Sequence, residues 1–97
     1  MKTTETVYLV CYDVSDDRRR SRLAKKLEIY GLRIQMSVFE CVLTAPQCDR
    51  IMEFINKTID EETDRVRLYP LTQAAREKVI ILGLTPEIAI DDDVFIL

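Results

Sequence analysis

The chain has no histidine and no tryptophan, and only two glycines, three prolines and three cysteines among its 97 residues. Each shortage excludes something. Without histidine there is no imidazole acid–base pair, no Ser–His–Asp triad and no histidine-ligated zinc. Any hydrolysis by this chain therefore runs through carboxylates, a hard metal ion, or both. The cysteines are odd in number and unrelated in spacing, with no Cys-x-x-Cys, so neither a zinc ribbon nor a disulfide framework is supported. Cys11, Cys41 and Cys48 read as core thiols. No apolar run approaches the roughly 20 residues of a membrane helix, and the opening Met-Lys-Thr-Thr-Glu holds no signal-peptide core. A soluble, cytoplasmic protein is expected.

What is present bounds the architecture. A chain of this length predicts one domain over residues 1–97, burying roughly two thirds of the surface it exposes unfolded. That suffices for two layers but not for a deep, self-contained cleft, so a site built at a subunit interface is expected. The net charge of −3 conceals a polarised molecule. Between Asp16 and Arg33 stand seven basic residues (Arg18, Arg19, Arg20, Arg22, Lys25, Lys26, Arg33) against three acidic ones (Asp16, Asp17, Glu28). After Thr85 there are four acids and no base.

The organising stretch is Val7 to Arg22. Val7 to Asp13 reads as a strand apolar on both faces, within a strand from about Thr6 to Val14. Asp13 closes it on the face of Val7, Leu9 and Cys11. A carboxylate there must meet water, a cation or a donor, because burying it unpaired costs several kcal/mol. Ser15 or Asp16 then caps a helix of about Asp17 to Tyr30, with Asp17 in the first turn. Leu23, Leu27 and Tyr30 form its apolar stripe; Arg18, Arg22 and Lys25 repeat on the opposite face, as a binding face or as ordinary solvated charge. Gly31 reads as a left-handed C-cap. Leu32 to Leu43 is β-rich and makes one strand, or two bent near Met36 and Ser37. Thr44-Ala-Pro46 opens a second helix with Cys48, Ile51, Met52, Ile55 and Ile59 inward. Asp60 to Asp64 is an acidic turn. Arg65 to Leu71 alternates, with Pro70 suiting an edge strand. Thr72 to Glu77 is a weakly helical connector, and Lys78 to Gly83 reads as a buried strand. The closing Asp93-Val-Phe-Ile-Leu97 needs an apolar berth.

Two helices against one antiparallel sheet predict an α+β, ferredoxin-like sandwich with both helices on one face. The other face carries Val7, Leu9 and Cys11 and has no third layer from this chain. A second copy covering it as a homodimer is the simplest explanation.

Tyr12-Asp13-Val14, Asp16-Asp17-Arg18-Arg19-Arg20, Leu27, Gly31, Arg33-Ile-Gln35 and Ser37-Val-Phe-Glu40 together resemble the CRISPR-associated protein two family. The similarity continues at Arg65 to Leu71, Val79 to Gly83 and Asp93-Val-Phe95, and covers nearly the whole chain. Many relatives carry a Cys-x-x-Cys near Thr72 to Ala75, which this chain lacks. The resemblance implies a homodimer in which residues of about 78–97, the C-terminal strand and tail, complete the partner's sheet. It also implies Mg²⁺-dependent (or Mn²⁺-dependent) endonuclease action on single-stranded RNA or double-stranded DNA, and a bridging place between integrase dimers in a heterohexameric spacer-acquisition complex. Asp13 is the implied catalytic metal ligand.

Elementary electrostatics agrees with that pattern. Two Asp13 carboxylates brought together at a dimer axis repel unless a cation or proton lies between them. Mg²⁺ suits such a place, taking one or two carboxylates and keeping waters or phosphates. Asp16 is the second-choice ligand, with an N-cap role favoured. Arg18, Arg19, Arg20, Arg22 and Arg33 are the candidate nucleic-acid contacts. Phe39 reads as a sheet-packing residue, with positioning of nucleic acid as its alternative. Glu40 is expected to pair with an arginine. Two functions compete: a metal-dependent endonuclease, and a non-catalytic double-stranded DNA scaffold bridging integrase dimers. A ligand-sensing domain of the same fold is disfavoured, because Gly31 and Gly83 supply no glycine-rich turn.

Overall fold

The computed structural model describes residues 4–84. The expected apolar end at Asp93 to Leu97, and most of the exchanged C-terminal strand, lie outside the described residues. The elements run β1 (Glu5–Asp13), α1 (Asp17–Glu28), β2 (Gly31–Gln35), β3 (Val38–Thr44), α2 (Ala45–Thr58), β4 (Arg65–Leu71) and a short α3 (Gln73–Glu77). The sheet order is β2-β3-β1-β4, and every neighbouring pair is antiparallel. This is the ferredoxin-like α+β arrangement. None of the helices among the described residues is long and apolar enough to cross a membrane.

Alternation along the strands sets the two faces. Val10 and Tyr12 of β1 and Phe39, Cys41 and Leu43 of β3 turn toward the helices. There they meet Leu23, Ala24 and Leu27 of α1 and Cys48, Ile51 and Ile55 of α2. Phe39, Leu23, Leu27, Leu43 and Ile51 are wholly enclosed, each worth about 1.5–3 kcal/mol by burial. Val7, Leu9, Cys11, Val38 and Val42, on the opposite face, are only half-buried. Cys11 is thus no core thiol, whereas Cys41 and Cys48 are buried.

Several boundaries differ from expectation for local reasons. Helix α1 stops at Glu28, and the Ile29 and Tyr30 amides bond back to Lys26 and Leu27 carbonyls in a closing turn. Leu32 to Leu43 is two strands with Met36 and Ser37 between them, fastened where Tyr12 N–H donates to the Ser37 carbonyl and the Tyr12 hydroxyl to the Met36 carbonyl. Met52 is largely exposed, because the buried stripe of α2 is the narrower Cys48, Ile51, Ile55 set. Residues 78–83 form no buried strand on this chain. Ile81 makes an isolated bridge, while Ile80 and Leu82 stand in solvent.

Gly31 is not a left-handed cap. Among the described residues only Gly83 has positive φ. Gly31 instead opens β2 opposite Cys41, where a Cβ would collide with the Glu40 carbonyl oxygen and come within 2.7 Å of Cys41 Cα. Both obstacles are backbone, so neither can swing aside.

The acidic turn also departs from expectation. Asp64 is buried, and its carboxylate ties the α2–β4 turn to the β1–α1 turn. It accepts from Arg19 Nε at 2.8 Å, from the Asp60 amide at 2.9 Å, and from the Ser15 amide and Thr63 hydroxyl at 3.2 and 3.1 Å. The Arg19 guanidinium, helped by the Asp60 and Ser15 amides and the Thr63 hydroxyl against the opposing effect of burial, holds this carboxyl well below the usual carboxylate range.

Gly31→Ala should therefore lower unfolding free energy by about 1–3 kcal/mol in urea titration, and an unchanged midpoint would mean β2 can pair with β3 at a greater distance. For Asp64 the folded carboxyl is the stronger acid. Its contribution is complete above the unfolded value of about 3.9 and drains away as pH falls below it. Wild type should melt above Asp64→Asn at neutral pH, with the gap closing as pH drops below about 4. A gap that ignores pH there would mean the charge of Asp64 is irrelevant to the clamp.

Candidate functional site

Strand β1 delivers Asp13 to the carboxyl end of the sheet's interior, three residues before the α1 N-cap. Asp13 is exposed, and its carboxylate has no hydrogen-bond or ion-pair partner among the described residues. It lies in a shallow depression with Cys11, Tyr12, Ser37, Val38, Arg65 and Arg67. Asp16, the alternative ligand, caps α1: its Oδ2 accepts from the Arg19 amide at 3.0 Å, and that bond chiefly lowers its pKa.

The five arginines fall into three groups. Arg18 and Arg22 stand exposed with Lys25 around one hollow on α1. Arg33 of β2 joins Arg20 and Lys25 in a groove between α1 and β2 that Tyr12 and Met36 also line. Arg19 is turned inward to Asp64. Arg20 is partly committed too, donating to the Val14 carbonyl at 2.7 Å and pairing with Asp17. Helix geometry decides this division: residues 18 and 22 share a face, and 19 points to the neighbouring turn.

Phe39 has no exposed surface, so no base can stack on it; its ring packs near Tyr12 and lies under the Arg33 guanidinium at 5.3 Å. That contact is a cation–π pair steadying Arg33 from beneath. Glu40 meets Arg76 of α3, whose Nε donates to Oε1 at 3.0 Å on the half-buried sheet face. Tyr12 belongs to both the Asp13 depression and the α1–β2 groove, so the two hollows adjoin. Burial raises its hydroxyl pKa. Burial also pushes the Cys41 thiol up to about 11, which removes it as a nucleophile.

Sequence reasoning missed Asp64 and Arg76. Asp64 lay in a run of acids that gave no sign of which one would turn inward. Arg76 lay in a connector, and only the half-buried Glu40 signalled that a cation must reach it. Arg65 and Arg67 were visible as the polar half of an alternating strand, but not as neighbours of Asp13.

Among the described residues no three metal-ligating side chains gather. A free carboxylate such as that of Asp13 is a ligand Mg²⁺ accepts, since the ion takes one or two carboxylates and completes its shell with water or phosphate.

Comparison with known proteins bears on this geometry. Residues 6–79 match the family model described as CRISPR associated protein Cas2. A Chloroflexus aurantiacus protein named CRISPR-associated endoribonuclease Cas2 1 is 43% identical over 91 residues, 93% of this chain and 98% of the relative. The crystal structure of Streptococcus pyogenes Cas2 at pH 6.5 superposes with a TM-score of 0.72 at 36% identity, over 79% of this chain and 99% of that one. A chain of a partial Cas6-RT-Cas1–Cas2 complex superposes with a TM-score of 0.64 at 33% identity, covering 76% and 81%. With nearly all of β1, the split β2–β3 pair and the aspartate-to-arginine turn inside the matched span, this chain belongs to the CRISPR-associated Cas2 family.

Proposed function

We propose that this protein works in CRISPR adaptation as a dimeric, Mg²⁺- or Mn²⁺-dependent endonuclease that cleaves single-stranded RNA, double-stranded DNA, or both. The observation that carries this reading is an exposed, unpartnered Asp13 beside a cationic groove, in a chain without histidine. Asp13 would hold the metal, with Asp16 already engaged as a helix cap. The cation, when bound, supplies Lewis-acid activation and charge neutralisation at a phosphodiester. Arg18, Arg22, Lys25 and Arg33 bind the nucleic-acid backbone, drawing it past Tyr12 toward Asp13. Arg19, through Asp64, holds the turn that follows Asp13.

The dimer follows from the sheet face left open. Val7, Leu9 and Val42 lie half-buried there with Tyr69 beside Leu9, and Ile80 and Leu82 further along the chain are exposed. A second copy would cover this surface and bring two Asp13 carboxylates into one site. Leu9→Glu should shift sedimentation from dimer to monomer, and a wild-type monomer at micromolar concentration would overturn this reading.

A second reading is a non-catalytic scaffold bridging integrase dimers on double-stranded DNA. The superposable chain from a Cas1–Cas2-containing complex favours it. Asp13→Ala separates the two. It should abolish cleavage of single-stranded RNA and duplex DNA by orders of magnitude in Mg²⁺, while leaving folding and duplex binding intact. Cleavage by both proteins that resists chelator would be a contaminant's and would leave the scaffold. Loss of fold would make Asp13 structural.

A further inference from the structure

Met36 stands in the two-residue turn between β2 and β3 and is 85% exposed. Nothing in the fold asks for methionine there. No burial is gained by it, and among the described residues only Gly83 has positive φ, so the turn sets no backbone demand that a polar residue could not meet. The turn itself is firmly held. Tyr12 N–H donates to the Ser37 carbonyl at 3.0 Å and the Tyr12 hydroxyl to the Met36 carbonyl at 3.3 Å, which pins the turn to the strand that carries Asp13. Met36 also lines the groove between α1 and β2, together with Arg20, Lys25 and Arg33 and the single acid Glu28. Arg33 lies there over the ring of Phe39, on the helix side of the sheet. The groove is therefore away from the sheet face that a second copy would cover.

We propose that Met36 is a base-contact residue, packing its thioether against an unpaired base of a single strand whose phosphates follow Lys25 and Arg33 along this groove. The proposal deepens the reading of the groove as a nucleic-acid track and rests on it. A lysine or arginine at the tip would serve phosphates; a neutral, polarisable side chain serves the aromatic face of a base instead. Sequence-tolerant holding of a single strand combines a cationic path for the backbone with an apolar platform for bases, and both are present here. Arg33 and Met36 are three residues apart, roughly 10 Å along an extended strand, the scale of one nucleotide from its phosphate to the far edge of its base. Tyr12 is a positioning residue in this arrangement, because its two hydrogen bonds fix where the tip stands.

The competing explanation is an ordinary exposed side chain, since single apolar residues are common on protein surfaces. A ligand without bases separates the two. Binding to the full chain would be followed by fluorescence anisotropy in EDTA over a KCl series. The probes are a labelled oligothymidylate and an oligomer of equal length built from tetrahydrofuran spacers, which keeps every phosphate and carries no base. Met36→Ala should weaken oligothymidylate binding about threefold to tenfold, leave its salt slope unchanged and leave the spacer oligomer unaffected. Met36→Leu keeps the apolar volume and should retain most of the affinity. Arg33→Gln should weaken both probes and flatten the log–log slope by about 0.7.

Equal loss on both probes, or a leucine variant as weak as the alanine one, would make Met36 a prop for the turn and overturn the proposal. No loss on either probe would overturn it too, leaving the side chain to solvent or to a protein partner. Arg33→Gln with unaltered affinity and slope would remove the groove reading and this proposal with it. An Arg33 response without a Met36 response removes the base contact alone and leaves the groove standing.

Discussion

β1 is hydrogen-bonded along both edges, to β3 over Glu5 to Cys11 and to β4 over Val7 to Asp13. A strand held on two sides cannot slip by one residue without turning its whole apolar set to the wrong face. That constraint fixes which side Val10 and Tyr12 occupy, and therefore which side Asp13 occupies. It also fixes what stands opposite Asp13, because the β4 register places Arg65 there. The placement of Asp13 is a consequence of sheet register before it is a matter of individual side chains.

The second constraint is the enclosed Asp64. Five donor groups from two distant stretches of chain converge on one carboxylate, and its charge is what makes so many donors compatible in one place. Arg19 is recruited from the basic helix for this purpose. The cost to a binding surface is one guanidinium; the return is a β1–α1 turn that cannot drift relative to the sheet. Arg18 and Arg22 are thereby presented outward from a fixed helix start. Removing Arg19 would strand the enclosed carboxylate, whereas the Arg19 side chain itself is only partly buried.

The open sheet face joins these features. It is half apolar, crossed by the Glu40–Arg76 pair, and bounded at one end by Asp13 with Arg65 and Arg67. A purely solvated face would not retain Val7, Leu9 and Val42 together, and a purely apolar interface would not hold two exposed arginines at its end. The pattern suits a surface that packs over its middle and handles charge at its rim.

By itself the sequence determined the alternation of strands and helices from β1 to β4, short of deciding whether Leu32 to Leu43 was one strand or two, together with the ferredoxin-like topology, the two-sided β1, the helix opening at Thr44-Ala-Pro46, the open apolar face and the basic pattern of α1; its buried strand at Lys78 to Gly83 was not found. These follow from periodicity and capping, which depend on neighbours in the chain. It also singled out Asp13, because a carboxylate ending an apolar strand must meet water, a cation or a donor. What only tertiary structure decided were the long-range choices. Which acid of Asp60 to Asp64 turns inward depends on where Ser15 and Arg19 arrive, 49 and 45 residues away. Whether Gly31 is a cap or a close approach depends on the Glu40 backbone brought against it by β3. Phe39 became a core ring, because register places it on the helix side. Arg65 became a neighbour of Asp13 because antiparallel pairing joins residues 52 positions apart in sequence. Local pattern carries no record of such pairings, since the energy that selects them comes from burial and hydrogen bonds made only once the sheet has closed.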